Sequence, residues 1–393
     1  MAPPNSPPKK SQAWSWRSKA FRGLAYQGIA LALIALVVWF LAHNTLLNMR
    51  VRGIQSGFDF LTQSAGFSIG ESLYAFDSSE SYLRAFGVGI SNTLRVALLG
   101  IVLATVLGTL IGVGRFSRNA LVRGLCLTYV ELFRNIPLLL QLLMWYLLLT
   151  EVLPAATEAW QLGPFFLSKG GLNFPIPIWA TGHVWAAAAL VLGLALTVLY
   201  RGWARRRFEA TGQPPSLYLV PLAIVLTSTL LGWLLGGAPT AMDVPHKGDF
   251  AIENGGALTP EFTAVLLGLT VYTTAFIAEV VRAGIMSVPR GQGEAAAALG
   301  LSRSQEVRLV TLPQALRVII PPLTNQYLNL TKNSSLAVAI GYPDVVSIAN
   351  TAMNQTGRAV ECIAIVMLVY LTLSLSTSML MNWYNARAAI KER

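Results

Sequence analysis

Charge is what this 393-residue sequence has least of. Only 12% of its residues are Asp, Glu, Lys or Arg, about half the share of an average soluble domain. So few charges cannot cover the surface of a soluble chain this long. The composition also excludes disorder, collagen-like repeats and coiled coil. Cysteine is scarce as well. Cys126 and Cys362 both sit in apolar runs, which reads as packing rather than a disulfide or a metal site. The histidines, His43, His183 and His246, lie far apart without ligand spacing, so no metal is expected. The sequence has no G-x-x-x-x-G-K-[ST], so the chain is not expected to bind and hydrolyse ATP itself. It has no nucleophile–base constellation and no nucleic-acid motif, and no cofactor is called for.

Apolar residues are abundant, at 54%. A membrane-spanning helix needs about 20 of them in succession. Candidate spans are Gly28–Leu41, Thr93–Val113, Leu125–Leu149, Ile178–Tyr200, Leu217–Leu235, Phe262–Val281 and Val360–Trp383. An eighth, Leu316–Ile340, holds Pro321, Pro322 and the polar run Thr331-Lys332-Asn333-Ser334-Ser335, and is expected to be a broken span. The expectation is an all-α polytopic membrane protein with about eight transmembrane helices. The first lies too far from the start for a cleavable signal and is kept as an anchor. Residues 1–12 are Pro/Ser/Lys-rich and expected to be disordered. Trp14-Ser15-Trp16-Arg17 suits the inner membrane interface.

Lys and Arg gather in alternate connecting segments: Arg115, Arg118 and Arg123; Arg201, Arg205, Arg206 and Arg207; Arg282, Arg290, Arg303 and Arg308. Under the positive-inside rule this places both termini in the cytoplasm. The opposite segments are richer in acid, with Glu71, Asp77, Glu151, Asp243 and Asp249 among them. They are either a solvated face or a meeting place for an extracytoplasmic partner.

The largest inner loop reads Arg290-Gly291-Gln292-Gly293-Glu294-Ala295-Ala296-Ala297-Ala298-Leu299-Gly300-Leu301. Pro289 and the alanines start a helix readily. Gly300 ends it. Ser302 and Gln305 then form a capping box, opening a second helix expected to run to about Leu312, where Pro313 interrupts or kinks it. A plain connecting hairpin is the bland alternative.

Glu294-Ala295-Ala296, then Gly300, then Val310-x-Leu312-Pro313 closely resembles the EAA loop of ABC importer permeases, with Val310 in place of the usual Ile. Three stretches narrow the resemblance to the polar amino-acid (histidine/glutamine-type) permease family. They are Tyr129–Leu139, Tyr272–Ile285 continuing through Val288–Gln292, and Leu330–Leu336. The resemblance covers roughly residues 88–150 and 258–385. It implies a type I ABC importer transmembrane domain over 88–385, with an insertion at 151–257 that carries two helices. Residues 1–87 would add a cytoplasmic tail, an extra transmembrane helix and an outer loop. This enlarged form resembles the Q-type permeases of general L-amino-acid (Aap/Bzt-type) importers.

The resemblance further implies a non-catalytic transport subunit in a bacterial inner membrane. Its expected partners are a cytoplasmic ABC ATPase dimer, a periplasmic amino-acid-binding protein, a second permease chain and an L-amino acid substrate. A homodimer stands beside the paralogous pair as an alternative. Gly291, Glu294, Ala295, Ala296, Gly300, Leu312 and Pro313 would dock into the ATPase.

Glu131 with Arg134, and Glu279 with Arg282, stand at i,i+3 near the inner ends of spans. Structural ion pairs are the first reading, and a substrate contact the second. Lys332, Asn333, Ser334 and Ser335 in the broken span, with Glu361 near the outer end of the last span, are candidate substrate-pathway residues. An ion-coupled secondary transporter would also use buried charges and broken helices, but gives no reason for the EAA pattern.

Overall fold

The computed structural model describes residues 19–388, except 52, 54–55, 213–214 and 217. The readings made for residues 1–12 and for Trp14–Arg17 lie outside the described residues. Among the described residues twelve α-helices run in chain order: α1 Lys19–Val51, α2 Tyr82–Gly114, α3 Ala120–Asn135, α4 Leu138–Leu147, α5 Thr181–Thr211, α6 Leu219–Leu235, α7 Pro260–Met286, α8 Arg290–Ala298, α9 Arg303–Glu306, α10 Leu312–Asn333, α11 Val345–Thr356 and α12 Ala359–Ala388. Five are long and apolar enough to cross a membrane, or up to seven spans if each of two bent pairs counts as one; Leu219–Leu235 is a shorter apolar helix.

The described chain forms two compact units. One takes residues up to Ile90 together with Val345–Thr372, and the other takes Ser91–Asp344 with the chain from Leu373 onward. The sequence division at residue 87 did not foresee the pairing of the first segment with 345–372.

In the first unit, Phe60, Tyr82, Phe86, Val345, Ile348, Ala352 and Cys362 make one buried core. The Tyr82 hydroxyl donates to Gln355 Oε1 at 2.6 Å. Arg358, only 5% exposed, donates to the Gly57 carbonyl and to Asp59 Oδ2, each at 3.0 Å. A guanidinium this buried is tolerable because it has both a counter-charge and a carbonyl.

In the second unit α7 is the hub, packed by α3, α4 and α10. Its most apolar stretch is 61% buried. Small residues allow this. A Cβ on Gly108 of α2 would fall 2.6 Å from Ile277 Cγ2, and one on Gly112 would fall 2.8 Å from the Ala278 carbonyl. Without a hydrophobic drive between helices in lipid, such close approach is a main source of association.

The run expected as a single span, Leu125–Leu149, is instead two helices, α3 and α4, meeting at 105°. Pro137 is the cause. It forces Ile136 into extended backbone (φ −97°, ψ 128°), which no helix continues through. Gln141 Nε2 repairs the break, donating to the Phe133 and Ile136 carbonyls at 3.0 Å each.

Between α4 and α7 lies α5–α6, an antiparallel hairpin whose helices touch at glycines. A Cβ on Gly232 would lie 2.4 Å from Ala189 Cβ and 2.7 Å from the Trp185 carbonyl. Short strands flank this hairpin: β1 Trp160–Leu162, β2 Phe165–Ser168, β3 Gly171–Phe174, β4 Ile176–Pro177, β5 Met242–Asp243, β6 His246–Lys247, β7 Ile252–Glu253 and β8 Gly256–Leu258. They form an antiparallel sheet in the order β1-β2-β3-β8 and two small ribbons, β4-β5 and β6-β7. Strands of two to four residues leave no periodicity in a sequence, so the all-helical expectation contained no sheet.

Helix α10 also differs from expectation. It passes through Pro321 and Pro322 unbroken to Asn333. The change of geometry comes after them, where Ser334–Ile340 tightens into a 3₁₀ helix ended by Gly341 at φ 79°.

Candidate functional site

The loop over residues 289–305 is built by backbone chemistry that the sequence spells out. Pro289 (φ −60°, ψ 138°) precedes α8. At the other end Gly300 takes φ 75°. Its N–H donates to the Ala297 carbonyl at 2.9 Å, and the Leu301 N–H donates to the Ala296 carbonyl at 3.1 Å. These two bonds are a Schellman closure, which satisfies carbonyls that the helix leaves free. A side chain at Gly300 would have to hold a left-handed conformation that costs roughly 1–2 kcal/mol.

Two residues on, Ser302 Oγ accepts from the Gln305 N–H at 3.4 Å and Gln305 Oε1 accepts from the Ser302 N–H at 2.9 Å. Such reciprocal capping stabilises by about 1 kcal/mol. The second helix does not end near Leu312. α9 passes through a π-turn, Val307–Thr311, into α10, and Pro313 lies in the first turn of α10, where a missing N–H is tolerated.

Gln314 clasps the two ends of the loop together. Its Nε2 donates to Gln292 Oε1 at 3.2 Å and to the Val310 carbonyl at 3.0 Å. Among the loop residues Ala296 is buried, at 2% exposure. Gly291, Glu294, Ala295, Gly300 and Leu312 are exposed, and Pro313 is half-buried. Leu299 is 80% exposed. A cleft of about 400 Å³ opens between α8 and the π-turn, bordered by Arg290, Glu294 and Glu306. The result is a short, rigid helix presenting methyl groups, a bare leucine and a carboxylate, held at a fixed angle by a glycine turn. Such a surface is suited to a groove in another protein.

Behind the loop the i,i+3 pair of Glu279 and Arg282 forms, and further cations join it. Glu279 on α7 is the shared anion. Arg282 Nε donates to its two oxygens at 3.1 and 3.2 Å, and Arg282 Nη2 and Arg115 Nη1 also donate to it. Arg134 Nη1 lies 3.8 Å from Glu279 Oε2, with its guanidinium over the Phe276 ring. Glu131 and Arg134 do not pair with each other. The Arg134 side chain reaches across to α7, while Glu131 is exposed and its carbonyl accepts from Asn135 Nδ2. One carboxylate thus ties α3, α7 and the turn after α2. For Arg115 the one signal in the residues was a cation just past an apolar run.

The model of the family described as "Binding-protein-dependent transport system inner membrane component" matches residues 100–390. The chain belongs to this family. It is 48% identical over 392 residues to the general L-amino acid transport system permease protein AapQ of Rhizobium johnstonii, covering 98% of both chains. It is 46% identical to the putative amino-acid ABC transporter permease protein YhdX of Escherichia coli K12, covering 96% of this chain and 97% of that one. It is 40% identical over the full length of both to the glutamate/glutamine/aspartate/asparagine transport system permease protein BztB of Rhodobacter capsulatus. The protein is a multi-pass inner-membrane transport permease subunit.

The structure of the permease places the remaining polar candidates in two separate environments. Lys332 is exposed and Asn333 half-buried. Ser334 Oγ and Ser335 Oγ donate to the Thr331 and Lys332 carbonyls, each at 2.8 Å, so both hydroxyls serve their own backbone. Glu361 is buried. It is 6% exposed, and its Oε1 accepts the Gly57 N–H at 2.7 Å. In the permease this carboxylate holds the segment after α1 within its own unit.

Proposed function

We propose that this chain is the permease subunit of an ATP-driven importer for L-amino acids, and that it couples to a separate cytoplasmic ATPase through α8. The observation that carries this is the Schellman-closed helix, with Glu294, Ala295 and Leu299 exposed at its surface. The names of AapQ, YhdX and BztB support the substrate class. On this reading the chain catalyses no reaction. ATP is bound and hydrolysed by the partner dimer. A periplasmic binding protein delivers the amino acid, and a second permease chain completes the pathway. Both termini lie in the cytoplasm, which the run of arginines in alternate loops supports.

Coupling follows from rigidity. ATP binding closes the ATPase dimer and moves α8. The Gln314 clasp passes that motion to α10, and α10 packs directly on α7. An equilibrium between inward- and outward-facing states shifts only as far as the ATPase's differential contact with α8 allows.

The test is ATP hydrolysis in proteoliposomes holding the permease, its cognate ATPase, the binding protein and the second permease, with Gly300→Asp beside the parent. L-amino acids should stimulate hydrolysis in the parent, and the variant should lose most of that stimulation. An ATPase that never assembles with this chain would refute the docking role.

A further inference from the structure

The four-stranded sheet is turned inside out. Its register pairs Trp160 with Leu167, Leu162 with Phe165, Leu167 with Leu172 and Leu172 with Leu258. Side chains alternate along a strand, so one face carries Trp160, Leu162, Phe165, Leu167, Leu172 and Leu258. The other carries Gln161, Phe166, Ser168 and Asn173. An antiparallel sheet beside water buries its apolar face and shows its polar one. Here Phe166 and Ser168 are buried, while Trp160 is 60%, Leu162 81% and Phe165 46% exposed. Exposure rises from Leu258, packed against the core around α7, to the turn between Leu162 and Phe165. A shallow concavity of about 410 Å³ lies on this face, bordered by Gln161 and otherwise lined by apolar side chains. No residue of the four strands is charged.

Place and size say what covers this face. β8 ends at Leu258, and α7 starts at Pro260. Glu261 accepts from the Tyr146 hydroxyl at 3.2 Å, and from Phe262 to Ala278 the helix is free of charge. One edge of the sheet therefore lies within about a helical turn of the point where α7 becomes apolar. The Lys169 N–H donates to the Pro154 carbonyl at 2.8 Å, which holds the sheet to the segment that follows α4. Exposed Ile178 and Trp179 lead from the sheet into α5. As for size, the strands are three or four residues long. Four of them at strand spacing frame roughly 200 Å², far below the roughly 800 Å² that each partner gives to a specific protein interface. An uncharged face that is too small for a protein partner, and that carries Trp and Phe beside a span end, suits the boundary between headgroups and acyl chains.

We propose that the Trp160–Leu162–Phe165 face of this sheet is a lipid-binding surface. It lies in the interfacial layer of the bilayer and anchors the β1–β2 hairpin there. The strands thus give the inserted region 151–257 a third hold on the membrane beside α5 and α6. The inference needs only that the chain spans a membrane and is independent of the transported substrate.

The experiment uses the full-length permease with its copurifying subunits, in nanodiscs of phosphatidylethanolamine and phosphatidylglycerol, with Cys126 and Cys362 replaced by alanine. A nitroxide is attached to Leu162→Cys or to Gln161→Cys, neighbours on opposite faces of one strand. Both side chains are exposed, so neither label disturbs a core. Collision of each probe with dissolved oxygen, which concentrates in lipid, is compared with collision with a water-soluble nickel chelate. The oxygen-to-nickel ratio should be severalfold higher at 162 than at 161. Equal ratios would put the face in water and overturn the proposal. A probe at 162 shielded from both reagents would put a protein over the face and overturn it too. As a second readout, Trp160→Phe should lower the fraction of tryptophan emission that is quenched by lipids brominated near the glycerol end of their acyl chains. An unchanged fraction would count against the anchor even with a labelled protein that failed to fold.

Discussion

Two of the apolar helices could hardly be used more differently. The most apolar stretch of α7 is 61% buried within the chain, whereas that of α1 is 0% buried. Hydropathy does not separate them, at 1.9 and 2.2 respectively. What separates them is small and polar residues. α7 carries Gly268, Gly284, Thr270, Thr273, Ala275 and Ala278, all buried, and it accepts neighbours at van der Waals distance. From Leu31 to Leu41, α1 shows large side chains in almost unbroken order, including Leu33, Ile34, Leu36, Val37, Val38, Trp39 and Phe40, each more than half exposed. In lipid, hydrophobicity decides whether a helix enters the membrane, and close-packing decides which helix it joins. α7 is made for partners within its own chain. α1 offers a surface to acyl chains or to another subunit.

The difference can be tested by substitutions of graded severity. Glu279→Ala should do the most harm. It strips the shared anion from Arg115 and Arg282, and leaving a largely buried guanidinium uncompensated costs about 3–4 kcal/mol. The expected result is a large fall in the thermal unfolding midpoint of the purified complex. Gly284→Val follows, because a Cβ there lies 2.2 Å from Ile319 Cγ1 and overpacking of this kind costs about 2–3 kcal/mol; a midpoint equal to that of the parent would show that α7 and α10 are not locked together. Gly232→Val in the α5–α6 hairpin should cost less, about 1–2 kcal/mol, since that pair can slide without disturbing a hub. Leu33→Ala in α1 should change the stability of the isolated chain by under about 0.5 kcal/mol, leaving its midpoint close to the parent's. A large destabilisation there would mean that α1 packs within the chain after all.

Much of this was legible in the residues. Pro289, Gly300 and the Ser302–Gln305 pair dictated the loop because each acts through its own backbone within a few positions. The apolar runs located the long helices for the same reason. Long-range contacts were less readable. Arg134 stands three residues from Glu131, yet spacing along a helix does not say which way a long side chain turns, and the stronger partner was on α7. Pro137 was visible, but the leucine run that follows it, Leu138-Leu139-Leu140, masked its effect. Pro321 and Pro322 were visible too, and there the helix held. A proline marks where a break is cheap, and the neighbouring carbonyls decide whether it happens. At Ile136 a glutamine was available to collect them. For Glu361 a place near a span end is all that the sequence shows. Its partner, Gly57, is 304 positions away.

The Gln314 clasp has a mechanical consequence. It joins α8 to the first turns of a helix of 22 residues, about 33 Å long at 1.5 Å per residue. A rotation of roughly 10° about the Leu312 end of such a rod sweeps its far end through about 6 Å, more than one helical turn of rise. A small wobble at that end is thereby geared up to a displacement the width of an amino acid. The fulcrum is a single amide, so shortening Gln314 to asparagine would lengthen the play in the joint without touching either end of the lever.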